Sequence, residues 1–537
     1  MSQPIVYIRG YAGSTSGIDA QVDDPFYGFN KGATHVRVGV ANDPIFYQFE
    51  GPMLRLMIDH GYSLLVQGDQ RAYLEGADDG SVDPKSIWVY RFYDQAATTF
   101  VKPPHRSLAD RVIGKLHRSV TSDGFNIEEA AVGLYKLVEE IQRKTRADRV
   151  ILIAHSMGGL IARCMIQKIA QEEGRRPAAE LVAKLFTYGT PHGGISFESA
   201  ALNWFEDVVG PAGSDIFAPE KMYGYLTPGR KFGEVPKRGG DWDPRVIPPK
   251  VFDPDNLFCL IGTDPKDYGP SKVVVGPQSD GLVKIENAYV PGAHRAYVFK
   301  SHSGAYGEVN SEEGYQNLQR FLFGRWKVEI ELIAASLNEQ SKAHVDETWQ
   351  ADLRLSIRGV SVVITEQRAD QYSALHLKSD AAARDDDDAL PVPLLTTFLL
   401  DPASPTGKPN SATERELKKH KGRARYSITL RVNKVVERSE SFVFADHLEQ
   451  VFDWADTIIF DIGTLPDGSL QAWCDWATNL AEPIAEVDPI SAEPVNAKRT
   501  LAPHQWRFER RLPEAAAKIP VLGTNAALRI TVTDRGQ

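Results

Sequence analysis

The stretch VILIAHSMGGLIARC, residues 150–164, decides the fold. Its aliphatic run from Val150 to Ala154 has the length and β-branched content of a strand buried on both faces. A serine, Ser156, and two glycines, Gly158 and Gly159, follow at once. Leu160, Ile161, Cys164 and Met165 then recur at helical spacing. A strand that turns through a serine straight into a helix is the repeating unit of an α/β fold.

The same alternation covers the first 320 or so residues. IVYI (5–8), SIWVY (86–90), KLFTYG (184–189), LFCLIG (257–262) and AYVFK (296–300) are apolar on successive residues, which suits parallel strands covered on both sides. Between them, NIEEAAVGLYKLVEEIQRK (126–144) places Ala130, Leu134, Leu137, Val138 and Ile141 on one stripe. Asn126 stands at its start with Glu129 three residues on, the spacing of a capping box. From about Trp326 the period changes to two. In WKVEIEL (326–332), Trp326, Val328, Ile330 and Leu332 alternate with Lys327, Glu329 and Glu331. WQADLRLSI (349–357), RARYSITLRVN (423–433) and ALRITVT (527–533) do likewise, the second with Tyr426, Ile428, Leu430 and Val432 on one face. One wet face per strand indicates antiparallel sheets in a sandwich-like arrangement. The expected organisation is a mostly parallel α/β domain over 1–324 and an all-β accessory domain over 325–537.

At 537 residues the chain needs more than one core. Its formal net charge of −10 offers no long-range attraction for polyanions, so nucleic acid is not an expected partner. Cys164, Cys259 and Cys474 are widely separated, with neither metal-ligand spacing nor a disulfide framework; they are expected as small core hydrophobes in a reducing compartment. The run Asp385–Asp388 lacks the glycine turn and spaced ligands of a calcium loop and is expected as a solvated loop, like residues 401–422. No metal or cofactor is implied. No apolar run reaches the ~18 residues of a membrane span. Strand character from Pro4 leaves no room for a secretory leader, so the expected location is cytoplasmic.

A serine hydroxyl is a weak nucleophile until a base takes its proton and donors stabilise the developing oxyanion. A sharp turn at the C-terminal edge of a parallel sheet serves both needs, provided the residues two before and two after the serine are small. Here they are Ala154 and Gly158, while Gly159 lets the helix approach the sheet. This is the pattern G-x-S-x-G with alanine in the first place.

On these residues the chain resembles the α/β-hydrolase superfamily, in particular its lipase-like and GPI inositol-deacylase-like serine esterases. The resemblance spans residues 4 to about 320 and rests on AHSMGGLIAR (154–163), YGTPHGG (188–194), QSDGLVKIENA (278–288) and KSHSG (300–304). It implies Ser156 as nucleophile, Asp280 as the acid and His302 as the base, in the chain order of that fold. Asp280 and His302 each follow an expected strand, as Ser156 does. The loop YIRGYAGS (7–14) implies oxyanion donors at the backbone N–H groups of Tyr11 and Met157. Arg9 stands where relatives usually carry histidine; it answers either an anionic substrate group or a buried acid. Asp264 and Glu286 are alternative acids. His155 is expected as pocket wall or packing, His192 along the cleft, and His294 on a surface loop.

About sixty residues separate TPHGG from LFCLIG, far more than an ordinary connection. With Trp204, Phe205, Val208, Val209, Ile216, Phe217, Tyr223, Tyr225 and Trp242, the segment at about 195–255 is expected as an apolar cap or lid over the serine. The alternative is a subdomain added for stability. Residues 67–85 form a second, polar excursion, expected as an exposed loop. The expected activity is hydrolysis of carboxylic esters, of lipase, esterase or phospholipase type, through an acyl-enzyme. The substrate is an ester or lipid, and the lid or the C-terminal domain is the surface for contact with a membrane or lipid interface. The rivals are an acyltransferase with the same three residues and a binding protein that acts through its C-terminal β domain.

Overall fold

The structure, a computed structural model, describes residues 2–10, 34–38, 44–48, 51–64, 70–90, 126–195, 216–266, 276–302, 307–333, 348–377, 391–400, 423–438, 447–464, 470–480, 498–499 and 504–536. Two compact units divide the chain. Met1–Arg295 with Lys300–Tyr315 form the first, and Ala296–Phe299 with Gln316–Gln537 the second.

The first unit is built on the strand Ile5–Ile8 (β1), whose four residues are buried. The chain continues through an antiparallel pair, Thr34–Val38 (β2) and Pro44–Gln48 (β3), then Gly51–His60 (α1), Ser63–Leu64 (β4), Gln70–Gly76 (α2), Ser86–Tyr90 (β5) and Ile127–Thr145 (α3). Val150–His155 (β6), Met157–Gln167 (α4), Val182–Tyr188 (β7), Leu257–Gly262 (β8) and His294–Val298 (β9) follow. The sheet order is β4-β5-β1-β6-β7-β8-β9, and the pairings from β4 through β8 are parallel. Every residue of β5 through β8 is buried, which is what unbroken apolar runs in a sheet covered on both faces require.

Helix α3 shows how the covering layer is specified. The Asn126 side chain accepts from the N–H groups of Glu128 and Glu129 at 2.9 and 3.3 Å, satisfying two donors that have no partner within the helix. Its stripe of Ala130, Leu134, Leu137, Val138 and Ile141 is wholly buried.

Two expectations change. His294 opens β9 instead of lying on a surface loop: Gly292, at φ 82°, turns the chain just before it, and the buried ring stands 3.4 Å from Asp255. The polar excursion is also more than an exposed loop. The buried Gln70 at the start of α2 donates to Val89 O at 2.6 Å and accepts from Val89 N–H at 3.0 Å, pinning α2 to β5. The acidic run 385–388 lies outside the described residues.

The second unit holds two antiparallel sheets. One runs in the order Val392–Leu399, Trp326–Ile333, Ala527–Asp534, Gln505–Arg511, Lys498–Arg499. The other runs Val363–Gln367, Thr348–Ile357, Ala424–Arg438, His447–Thr464, Leu470–Trp476, with Leu375–Leu377 also paired to Thr348–Ile357. Trp326, Val328, Ile330 and Leu332 are buried while the residues between them are half-exposed. They share one apolar cluster with Tyr426, Ile428, Leu430 and Val432 of the other sheet.

Removing the α3 cap gives a direct check of this account. Asn126→Ala is expected to lower stability by about 1 kcal/mol, read as a shift in urea midpoint with the slope unchanged.

Candidate active site

Ser156 lies between the end of β6 and the start of α4, with φ 54° and ψ −126°. An L-residue held there stores roughly 1–3 kcal/mol of strain, so the surroundings must impose the turn. They do so from three sides. Ser156 N–H donates to Tyr188 O at 2.9 Å, Gly159 N–H donates to Ser156 O at 3.0 Å, and Thr190 Oγ1 donates to the same oxygen at 3.0 Å. The neighbouring glycines clear the space. A Cβ on Gly158 would lie 2.5 Å from Arg9 O and 2.7 Å from Ile8 O, and one on Gly159 would run into the Thr190 side chain. A Cβ on Gly10 would stand 2.9 Å from His155 Nδ1 and 3.1 Å from Ser156 Cβ, so the loop leaving β1 passes directly beside the serine.

The Ser156 hydroxyl is 3.0 Å from His302 Nε2, and His302 Nδ1 is 2.8 Å from Asp280 Oδ2. His302 follows β9, and the residues just before 276 lie outside the described ones. Asp280 lies in the turn after residues 276–279, where its Oδ1 accepts from Leu282 and Val283 N–H at 2.9 and 2.7 Å. His302 N–H donates to Asp280 O at 2.8 Å, so backbone and side chain together set the imidazole against the carboxylate. All three side chains are buried, with Ser156 retaining 9% exposure. A hydroxyl, an imidazole and a carboxylate in this sequence form the contact chain that activates a serine nucleophile.

The alternative acids named from the sequence make other contacts. Asp264 uses Oδ1 to accept from Lys266 N–H at 3.0 Å, and the Glu286 carbonyl accepts from Arg245. His192 does not line the cleft; it is wholly buried, with Nε2 3.1 Å from Thr187 Oγ1. His155 packs its ring against His302 at 4.8 Å between centroids, and its Nε2 is 3.1 Å from His302 O. Burial, then the charges of His302 and Arg9, hold the His155 imidazole well below the usual histidine range. Burial, then Arg163, does the same for His192. Met157 is the first residue of α4, a position whose N–H has no partner within its own helix. Tyr11 lies outside the described residues, one position beyond Gly10.

Residues 196–215 of the expected cap, including Trp204, Phe205, Val208 and Val209, are likewise outside the described residues. The part described beyond that stretch, 216–255, is clamped to α4 and the residue just after it by two buried cations, Arg163 and Lys168. Arg163 donates to His192 O at 2.9 Å and to Pro244 O at 2.6 Å; Lys168 donates to Gly224 O at 2.9 Å and Arg230 O at 2.7 Å, and pairs with Glu128. Burial pulls the Arg163 guanidinium down to about 10, still well above neutrality. Sequence reading did not single out Thr190, Arg163 or Lys168. For Arg163 and Lys168 the signal was polar side chains at helical spacing beside an apolar stripe; Thr190, in the turn after β7, carried none.

Residues 107–216 match the family described as "Putative serine esterase (DUF676)". One solved structure, described as "The crystal structure of the gene lin2722 products from Listeria innocua", is similar at 12% identity over 60% of this chain and 94% of that one, with a TM-score of 0.25. The search of curated proteins found no match. The parallel sheet, the serine turn and the family match together support a serine esterase of the α/β-hydrolase type.

Two outcomes follow from this geometry. Gly158→Ala, which sets a methyl against backbone carbonyls that cannot swing away, is expected to lower stability by roughly 1–3 kcal/mol in urea titration. His155 and His192 fold neutral with depressed pKa values, so the stability they contribute is present above their unfolded value of about 6.5 and is lost as pH falls below it. His192→Asn is therefore expected to lose less melting temperature than the parent between about pH 7.5 and pH 5.5.

Proposed function

We propose that this protein hydrolyses carboxylic esters through an acyl-enzyme. The contact chain from Ser156 through His302 to Asp280 carries the reading, because it places a base at the hydroxyl and an anion behind the base. His302 Nε2 takes the Ser156 proton as Oγ attacks the ester carbonyl. Asp280 stabilises the imidazolium and holds its tautomer through Nδ1. The N–H groups of Met157 and Tyr11 receive the oxyanion. The Ser156 turn supports this role for Met157, since it leads directly into the first N–H of α4. His302 then returns the proton to the leaving alcohol, and water releases the acid by the same path.

An acyl chain or aryl group is the substrate class that suits the aromatic content of the segment after Gly194. In its described part, Tyr223 packs edge-on against Trp242 with centroids 5.3 Å apart, and Phe232 and Val235 remain exposed.

A panel of esters of increasing acyl length, run with Ser156→Ala as blank, tests the reading. The substitution is expected to lower kcat by about 10⁴-fold or more, and a phosphonate probe to label Ser156 in the folded parent. Undiminished turnover in Ser156→Ala, or a folded parent that takes up no probe, would remove the proposal. Adding an alcohol acceptor to the same assay reports whether water or alcohol receives the acyl group.

A further inference from the structure

One buried acid beside the site has no part in the chemistry so far. Glu308 lies six residues after His302 and is wholly buried. Its backbone is fixed, with N–H donating to Ser301 O at 2.9 Å and C=O accepting from Ser311 Oγ at 2.7 Å. Neither carboxyl oxygen has a hydrogen-bond partner among the described residues.

The side chain is aimed at the site. A Cβ built on Gly189 would touch Glu308 Oε1, His302 Nδ1 at 2.8 Å and Asp280 Oδ2 at 3.0 Å. One built on Gly262 would meet Asp280 Cβ at 2.8 Å and Glu308 Oε2 at 3.4 Å. Two glycines thus leave open the space in which the Glu308 carboxyl lies alongside the His302–Asp280 hydrogen bond. A ring nitrogen of His155, one of His302 and a Glu308 oxygen all lie within 4.8 Å of one another.

A second anion in this dry space, met among the described residues only by the Gly262 backbone, is far costlier than a protonated carboxyl. Burial first, then the charge of Asp280, push the Glu308 carboxyl well above the usual range, against a weaker pull from the Gly262 backbone. Among the other titratable groups, the buried cation Arg9 bears on His155. His155 is held neutral, and Tyr188 at the end of β7 is pushed well above the usual phenol range by burial and by Glu308. The nearby Lys300 is engaged with Glu313 at 3.4 Å. Asp280 is thus the charge that bears on Glu308, and His302 is the imidazole beside it.

Resting on the reading of Ser156, His302 and Asp280 given above, we propose that Glu308 is a second carboxyl of the imidazole, a proton-bearing positioning residue that ionises to hold His302 when Asp280 is made neutral. In Asp280→Asn the Glu308 proton leaves to solvent, and the carboxylate left behind faces the imidazole in place of the missing one.

A double-substitution cycle in the full chain tests this, with a short chromogenic ester read between about pH 6 and pH 9 and glutamate-labelled infrared spectra taken alongside. Asp280→Asn is expected to retain a residual kcat that rises with pH. Adding Glu308→Gln removes that residual by a further factor of about ten with KM little changed, a larger cost than the same substitution brings while Asp280 is present. In the spectra, the parent shows a protonated glutamate carboxyl near neutral pH that Glu308→Gln lacks and that converts to carboxylate in Asp280→Asn. Equal costs of Glu308→Gln in both backgrounds would reduce Glu308 to packing and overturn the proposal, as would a parent without the protonated band. If Glu308→Gln does not fold, the spectra of the parent and Asp280→Asn decide alone. A parent that shows the band yet cleaves no ester would sink the hydrolase reading and leave the assignment of the Glu308 proton standing.

Discussion

The first unit depends on one backbone conformation, that of Ser156 at φ 54°. Nothing in a serine favours it, so the cost must be met by the fold around it. β6 and β7 pair in register up to His155 and Tyr188, and the next N–H in line, that of Ser156, still finds the Tyr188 carbonyl. The turn is thus the last bond of a parallel ladder, bent sharply into a helix. Such a bend is available only where helix and strand approach closely, and Gly158 against the Ile8 and Arg9 carbonyls is that approach. Replacing either element's side-chain volume would relax the turn and withdraw the hydroxyl from the imidazole.

Charge around the imidazole is arranged with similar economy. Asp280 spends one oxygen on two backbone N–H groups and the other on His302. Burial above all holds His155, whose ring tilts against that of His302, well below the usual histidine range. A carboxylate within hydrogen-bond reach of one imidazole and a backbone carbonyl at the other set these two buried histidines apart.

Much of the architecture was legible in the order of residues, for identifiable reasons. Buried parallel strands announce themselves as unbroken apolar runs, and the change to alternation at Trp326 marks the switch to sheets with one wet face. Asn126 declares a helix start because capping is local chemistry. Ser156, Asp280 and His302 were nominated by the resemblance and by each following an expected strand, but the distances among them are set by strand order, which no local pattern encodes. Gln70 and His294 were misjudged since polar side chains usually face water, and their burial comes from a strand edge and a glycine turn remote from composition. Glu308 left no mark at all. In the run GEVNSEEGY it looks like one more solvated acid, and its surroundings arise from glycines 46 and 119 positions away, Gly262 and Gly189.

Arg163 and Lys168 have a mechanical consequence. Each replaces water at carbonyl groups of the segment after Ile216, and together with Glu128 they tie three stretches of chain to one helix. The exposed run from Gly229 to Asp241 is where a protease would find its easiest cut. Because the guanidinium holds the chain beyond that run and the ammonium holds the chain before it, severing the peptide there would leave two fragments still riveted to the same rod. Covalent continuity across the insertion is thus dispensable to its seating on the helix that follows the serine.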